Sequence, residues 1–244
     1  MNACDMTADQ VVDRNWRTAY LPVAAFVQHG PHLPVTSGML VTHALGEEIS
    51  SRIDAFMLPV QPFATCLEQQ DPYSVGVDPG LLYDMILNIA RELKRQGFTR
   101  LVIHKGYHGL TVLYPLTRHL NAAEGIHTVL VDPCALVADQ GLLQGTGNFH
   151  ACELQTSLMM HLFSECVRRD KIYGIDCVPQ APPQRLSYKP MAAYCSDGVW
   201  GRPSLASAEK GEKFFRAAVD LSTAYIQDVF SFIDSNGDYT GGRA

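Results

Sequence analysis

Three short segments of this 244-residue chain concentrate side chains that move protons or hold charge. They are Gln28-His29-Gly30-Pro31-His32-Leu33-Pro34, Lys105-Gly106-Tyr107-His108-Gly109 and Asn148-Phe149-His150-Ala151-Cys152-Glu153. Five of the nine histidines lie in or beside them: His29, His32, His104, His108 and His150. Imidazoles exchange protons near neutral pH, and His29 and His150 are the expected acid and base. Lys105, Tyr107 and His108 would stabilise negative charge developing on a carbonyl oxygen. His150 and Glu153 are three apart at an expected helix start. They would share one face, so that Glu153 orients the imidazole or balances its charge.

Each residue also has a purely structural explanation. His32 can bond its own loop, and His104 can point into the core. Cys152 has the size of a buried helix residue, and Glu153 suits a helix N-terminus. Their convergence on one region argues for chemistry, and that convergence depends on the elements that carry them. Apolar runs at 21–27, 56–60, 100–104 and 127–131 read as strands. Helical periodicity covers 38–53, 79–96, 110–123, 151–169 and 207–233. Strands alternating with helices predict a mostly parallel sheet covered on both faces, a three-layer α/β/α sandwich, with Val23, Val102 and Val129 on central strands. Ligands of such sheets bind at the loops leaving the C-terminal strand ends, where the three segments fall. Residues 173–203 hold five prolines and read as a long excursion covering a pocket or forming a subunit contact.

Composition narrows the class. Hydrophobic residues make up 47% and charged residues 18% of the chain, which suits one α/β domain at 14–234. A polar arm would precede it at 1–13, and a Gly- and Asp-rich mobile tail would follow at 235–244. A net charge of −6 argues against nucleic acid as a partner. No apolar run is long enough for a membrane span. The first residues lack the pattern of a signal peptide, and the seven cysteines are scattered, as in a reduced cytoplasmic protein.

The same segments carry a resemblance. Residues 28–34 resemble the creatininase-family signature Glu-Gln-His-Gly-Pro-His-Leu-Pro. The stretch from Gln96-Gly97-Phe98 to Gly109 resembles that family's Gly-Phe, strand, Asn-Gly-His-Gly-Gly-Asn. His150-Ala-Cys-Glu-Leu-Gln-Thr-Ser157 is similar to His-Ala-Gly-Glu-x-Glu-Thr-Ser. Residues 201–211 are similar to Gly-Asp-Pro-x-x-Ala-x-x-Glu-Lys-Gly. The resemblance implies the α/β/α fold, a homo-oligomer assembled as a hexamer, and hydrolysis or reversible ring closure at a small cyclic amide by two bridged divalent metals. It also implies where those metals would bind, and there this sequence departs from the pattern. Val27, Gly38, Tyr107 and Gln155 stand at aligned ligand positions, and His29 keeps a ligating side chain. Val and Gly offer no donor atom.

Three readings follow, in order of preference. In the first, a metal-independent enzyme hydrolyses, cyclises or isomerises a small amide or lactam. His150, His29, Glu153, Lys105, Tyr107 and His108 would be catalytic, and Gln28, His32, Asn148, Cys152 and Gln155 would contact the substrate. Replacing His150 by asparagine should then cut turnover by roughly two to four orders of magnitude. The second reading rebuilds one zinc site from His29, His104 or His108, and His150 or Glu153. The third is an inactive binding or assembly subunit.

Overall fold

The computed structural model describes residues 6–69 and 73–236. Four strands form the sheet: β1 (Thr18–Val23), β2 (Phe56–Met57), β3 (Arg100–Lys105) and β4 (His127–Val131), all parallel in the order β2-β1-β3-β4. Helices interleave them: α1 (Ala8–Arg14), α2 (Ser37–Arg52), α3 (Pro79–Arg95), α4 (Leu113–His119), α5 (Pro133–Asp139), α6 (Glu153–Leu162) and α7 (Ala208–Asn236). The period of two along the strands divides the core. Tyr20, Val102 and Val129 pack with α2, α6 and α7 on one face. Ala19, Leu21, Leu101 and Ile103 pack with α3 and α4 on the other. The expected three layers are therefore present.

Several boundaries differ from the sequence reading, each for a local reason. The first strand begins at Thr18 and ends at Val23, where the Gly106 amide takes the Val23 carbonyl. Pro22 sits inside it. The Pro22 carbonyl accepts from Gln61 on the β2 side, so its missing N–H falls beside the shortest strand, where least pairing is lost. Val129 is buried but lies on an edge strand, not a central one. Helix α6 stops at Leu162 because Phe163 adopts φ −143°, and short 3-10 turns continue the chain. The N-terminal segment read as an arm contains α1, closed by a capping box at Thr7. Asp132 caps α5, with Pro133 at its first position, a short helix that periodicity did not reveal. The tail placed at 235–244 lies outside the described residues from 237 onward, and α7 extends to Asn236.

Both sheet edges are short of free backbone. On one side β2 offers two residues. On the other, the Asn121 side chain donates to the Thr128 carbonyl and accepts from the Thr128 amide, both at 2.8 Å, as a neighbouring strand would. Excursion 173–203 has its own small cluster, Met191, Cys195 and Trp200, with Phe149 packed against it.

Helix α7 approaches α6 closely at Gly211. A Cβ there would lie 2.0 Å from the Ser157 carbonyl oxygen. Because the obstacle is backbone, Gly211→Ala should separate the helices and cost about 1–3 kcal/mol. Urea denaturation should show this as a lower midpoint, and an unchanged midpoint would mean the helix pair slides freely.

Candidate functional site

The loops leaving the strands meet at one edge of the sheet, and the polar segments meet there too. His29, in the loop after β1, has Nδ1 2.9 Å from the Val27 carbonyl. That nitrogen holds the proton, and Nε2 is the free base. In His150 the arrangement is reversed. Its Nε2 donates to the Gln28 carbonyl at 2.7 Å, and Nδ1 has no partner. The two rings stand 4.7 Å apart. Burial holds both neutral, with pKa values lowered to about 4 for His29 and about 3 for His150. Paired backbone hydrogen bonds to Trp200 fix His150, and Ala151 after it has φ +49°, a strained conformation for alanine.

Glu153 does not meet the expected partner. Helix α6 starts at Glu153 with Cys152 as its cap, so His150 lies outside the helix and the two side chains diverge. The Glu153 carboxylate is fully buried. It accepts from the Gln144 and Gly145 amides at 3.2 and 2.7 Å and pairs with Lys210 Nζ at 2.7 Å. Its place is structural. His32 likewise bonds Thr156 Oγ1 at 2.9 Å, tying the first loop to α6, and His104 reaches the Tyr20 hydroxyl at 2.9 Å inside the core. Gln28 spends its amide on Gln69, Gly198 and the Gly30 backbone. Neither His32 nor Gln28 is left facing a ligand.

Beside this buried group is a cavity of about 270 Å³, lined by Lys105, Tyr107, His108, Asn148, Cys152 and Gln155. Asp132, Cys134 and Asp139 also line it. Lys105 pairs with Asp132 at 2.7 Å, which leaves ammonium hydrogens for another acceptor. Asn148 donates to the Gly145 carbonyl at 2.5 Å, while its Oδ1 and the Gln155 Oε1 are buried without partners. Burial pushes the Cys152 thiol up to about 11, so it stays protonated and is a poor nucleophile.

His108 is the histidine that faces this cavity, with both ring nitrogens buried and neither hydrogen-bonded. Its Nε2 lies 3.5 Å from the Glu68 carboxylate. Burial, reinforced by His150, Lys105 and His29, holds its pKa well below the ordinary 6.5. Tyr107 gives its hydroxyl proton to Glu68 in a short hydrogen bond and accepts from Gln69 at 3.0 Å. That proton is committed, so Tyr107 positions Glu68 and is not free to donate to a substrate oxygen. Gly109 makes the approach possible, because a Cβ there would lie 2.2 Å from Glu68 Oε1. Glu68 is the residue the sequence concealed. Its loop carries no histidine or glycine pattern, and the available signal was that it follows β2 at the same sheet edge.

The position where the resemblance implies two metals is poorly suited to them. Val27 is fully buried and apolar, and Tyr107 is held by Glu68. The space lined by His29, Gly38, Thr42, His104 and Gln155 is about 20 Å³, roughly one water. Among the described residues, no group of three or more His, Cys, Asp or Glu is placed to hold an ion. These residues do not fit a bridged pair.

Comparison with known proteins adds four findings. The family model for creatininase, creatinine amidohydrolase, matches residues 4–226. A creatinine amidohydrolase of Pseudomonas putida is 25% identical over 86% of this chain and 88% of its own. A mycofactocin precursor peptide peptidase of Mycobacterium ulcerans is 25% identical over 84% and 82%. A crystal structure of creatinine amidohydrolase superposes with a TM-score of 0.81 at 23% identity, covering 94% of this chain and 97% of that one. The curated relatives are thus an amidohydrolase and a peptidase, both hydrolases. Among the described residues, no helix is long and apolar enough to cross a membrane.

Proposed function

The chain belongs to the creatininase family, and from that premise we propose that it hydrolyses, or in reverse forms, the C–N bond of an amide-type substrate without a dinuclear metal centre. The observation that carries this reading is His108. It is a neutral imidazole, partly exposed but with both ring nitrogens buried and without hydrogen bonds, facing a cavity and flanked by a carboxylate. Such a group can take and return a proton, which is what amide cleavage needs once no cation activates the water.

The step balances as follows. His108 takes a proton from water as its oxygen bonds to the carbonyl carbon, and Lys105 receives the oxyanion. Collapse breaks the C–N bond, His108 returns the proton to nitrogen, and an acid and an amine remain. Glu68, 3.5 Å from Nε2, stabilises the imidazolium between these steps. His150 and His29 support from behind. The His150 ring centroid is 5.3 Å from that of His108, and His150 does not line the cavity that His108 faces. On that ground we read His150 as a positioning residue and His108 as the base.

The test is a screen of small lactams, imides, ureides and N-acyl amines by mass spectrometry, with protein treated with EDTA. Turnover should survive chelation. His108→Asn should lower kcat/KM by about two to four orders of magnitude with little change in Tm. The acid limb of the wild-type profile should lie below pH 6.5, since His108 must be neutral to act and its pKa is lowered. Activity that disappears with EDTA and returns with zinc or manganese, or full activity in His108→Asn, would remove this reading.

A further inference from the structure

The inner cavity is one of two spaces that His108 lines. The second, of about 700 Å³, is walled by the loop at Leu67 and Glu68 and by the strap at 183–190. His108 and Phe149 line both spaces, with their rings 4.0 Å apart. The Met191 amide donates to the Glu68 carbonyl at 2.8 Å, which joins the outer chamber's two walls before any ligand arrives. Ligand pockets commonly span about 300–1,000 Å³, so the inner chamber suits a compact group and the outer one a larger body.

We propose that the outer chamber is a second subsite of the same active site, and that the substrate is an open-chain N-substituted amide. Its small acyl part occupies the inner chamber, and its apolar, ring-sized amine part occupies the outer one. This inference rests on the hydrolase reading above. The oxyanion donor sets the orientation. Lys105 lines the inner chamber and, with Asp132 holding one ammonium hydrogen, keeps others for the carbonyl oxygen, while Glu68 lines the outer one, on the side of the departing amine. His108, between them, reaches the nitrogen at the junction.

The walls favour an apolar amine. Leu67, Leu186 and Tyr188 line the outer chamber, and Leu67 and Tyr188 are 64% and 82% exposed, large apolar surfaces that a ring would cover. Lys189 stands at the exposed rim. A small lactam, whose acyl and amine ends are tethered, would fill the inner chamber and leave these surfaces unused.

N-phenylacetamide and 2-pyrrolidinone separate the alternatives, with acetophenone as a probe that has no C–N bond to break. Thr111 is exposed and lines the outer chamber, so Thr111→Trp fills it from outside the core. Tyr188→Ala serves if that variant is unstable. N-phenylacetamide should be cleaved to acetate and aniline with kcat/KM at least about tenfold above that for 2-pyrrolidinone, and Thr111→Trp should raise its KM about tenfold. Equal or faster cleavage of 2-pyrrolidinone, indifferent to both variants, would overturn the subsite and leave the hydrolase reading standing. If no amide is cleaved but acetophenone binds by NMR and Thr111→Trp weakens it, the subsite stands and the hydrolase reading falls. Failure of acetophenone to bind, with no amide cleaved, overturns both.

Discussion

Stability should fall steeply as the pH is lowered from 7 towards 4, and unfolding in that range should take up about four to five protons. Four buried histidines and the partly buried His108 carry the effect. His29, His32 and His104 have pKa values lowered to about 4, His150 to about 3, and His108 well below its ordinary 6.5. Burial is the largest cause in every case. A histidine in the unfolded chain binds its proton near pH 6.5, whereas each of these stays neutral. Between the two values the unfolded state therefore holds more protons, and stability is lost as pH decreases through 6.5 and flattens only below the folded values. One proton is worth about 1.4 kcal/mol per pH unit, so the set contributes on the order of 5 kcal/mol per unit. A domain has roughly 5–15 kcal/mol in total. Urea midpoints at pH 7, 6 and 5 measure this. An uptake below one proton would mean that the imidazoles titrate as if in water.

Lys210→Met should cost about 3–5 kcal/mol, because it strands a carboxylate with no exposed surface. Glu153 would keep two backbone amides but lose its cation, which also bonds the Gln144 side chain and the Leu205 carbonyl at 2.9 and 2.6 Å. The double variant Glu153→Gln/Lys210→Met removes both charges, keeps an acceptor for the amides, and should recover most of the loss. A double-mutant cycle by urea denaturation gives the coupling directly. A single-variant cost under about 1 kcal/mol would show that water reaches the carboxylate.

Glu153 also shows where sequence reading reaches its limit. Spacing of three puts two residues on one face only if both belong to the helix. Here the left-handed turn at Ala151 and the cap at Cys152 set His150 apart. The Glu-Lys-Gly run at 209–211 carries part of the family resemblance, and its structural reason is that Lys210 neutralises Glu153 and Gly211 admits α6. Alternation of strand and helix was enough to give the parallel sheet, because it depends on local periods. Strand order and the Glu68 contact depend on loops that meet only in space. Lys105, Tyr107, His108, Asn148, Cys152 and Gln155 were legible as one neighbourhood because their segments leave β3 or enter α6 at one sheet edge. That His108 keeps both ring nitrogens free while Tyr107 gives its hydroxyl to Glu68 was set by backbone direction, which composition does not encode.

The blunted sheet margins bear on how copies of this chain meet. A strand margin recruits another chain by offering a row of amides and carbonyls. Here one margin is two residues long, and at the other Asn121 already occupies the outward groups of Thr128. Continuous sheet across two protomers is therefore disfavoured, and so is the strand-on-strand templating that begins fibrils. Any contact between copies would fall to helices and loops, whose side chains can be rebuilt one at a time without disturbing the ladder of the sheet.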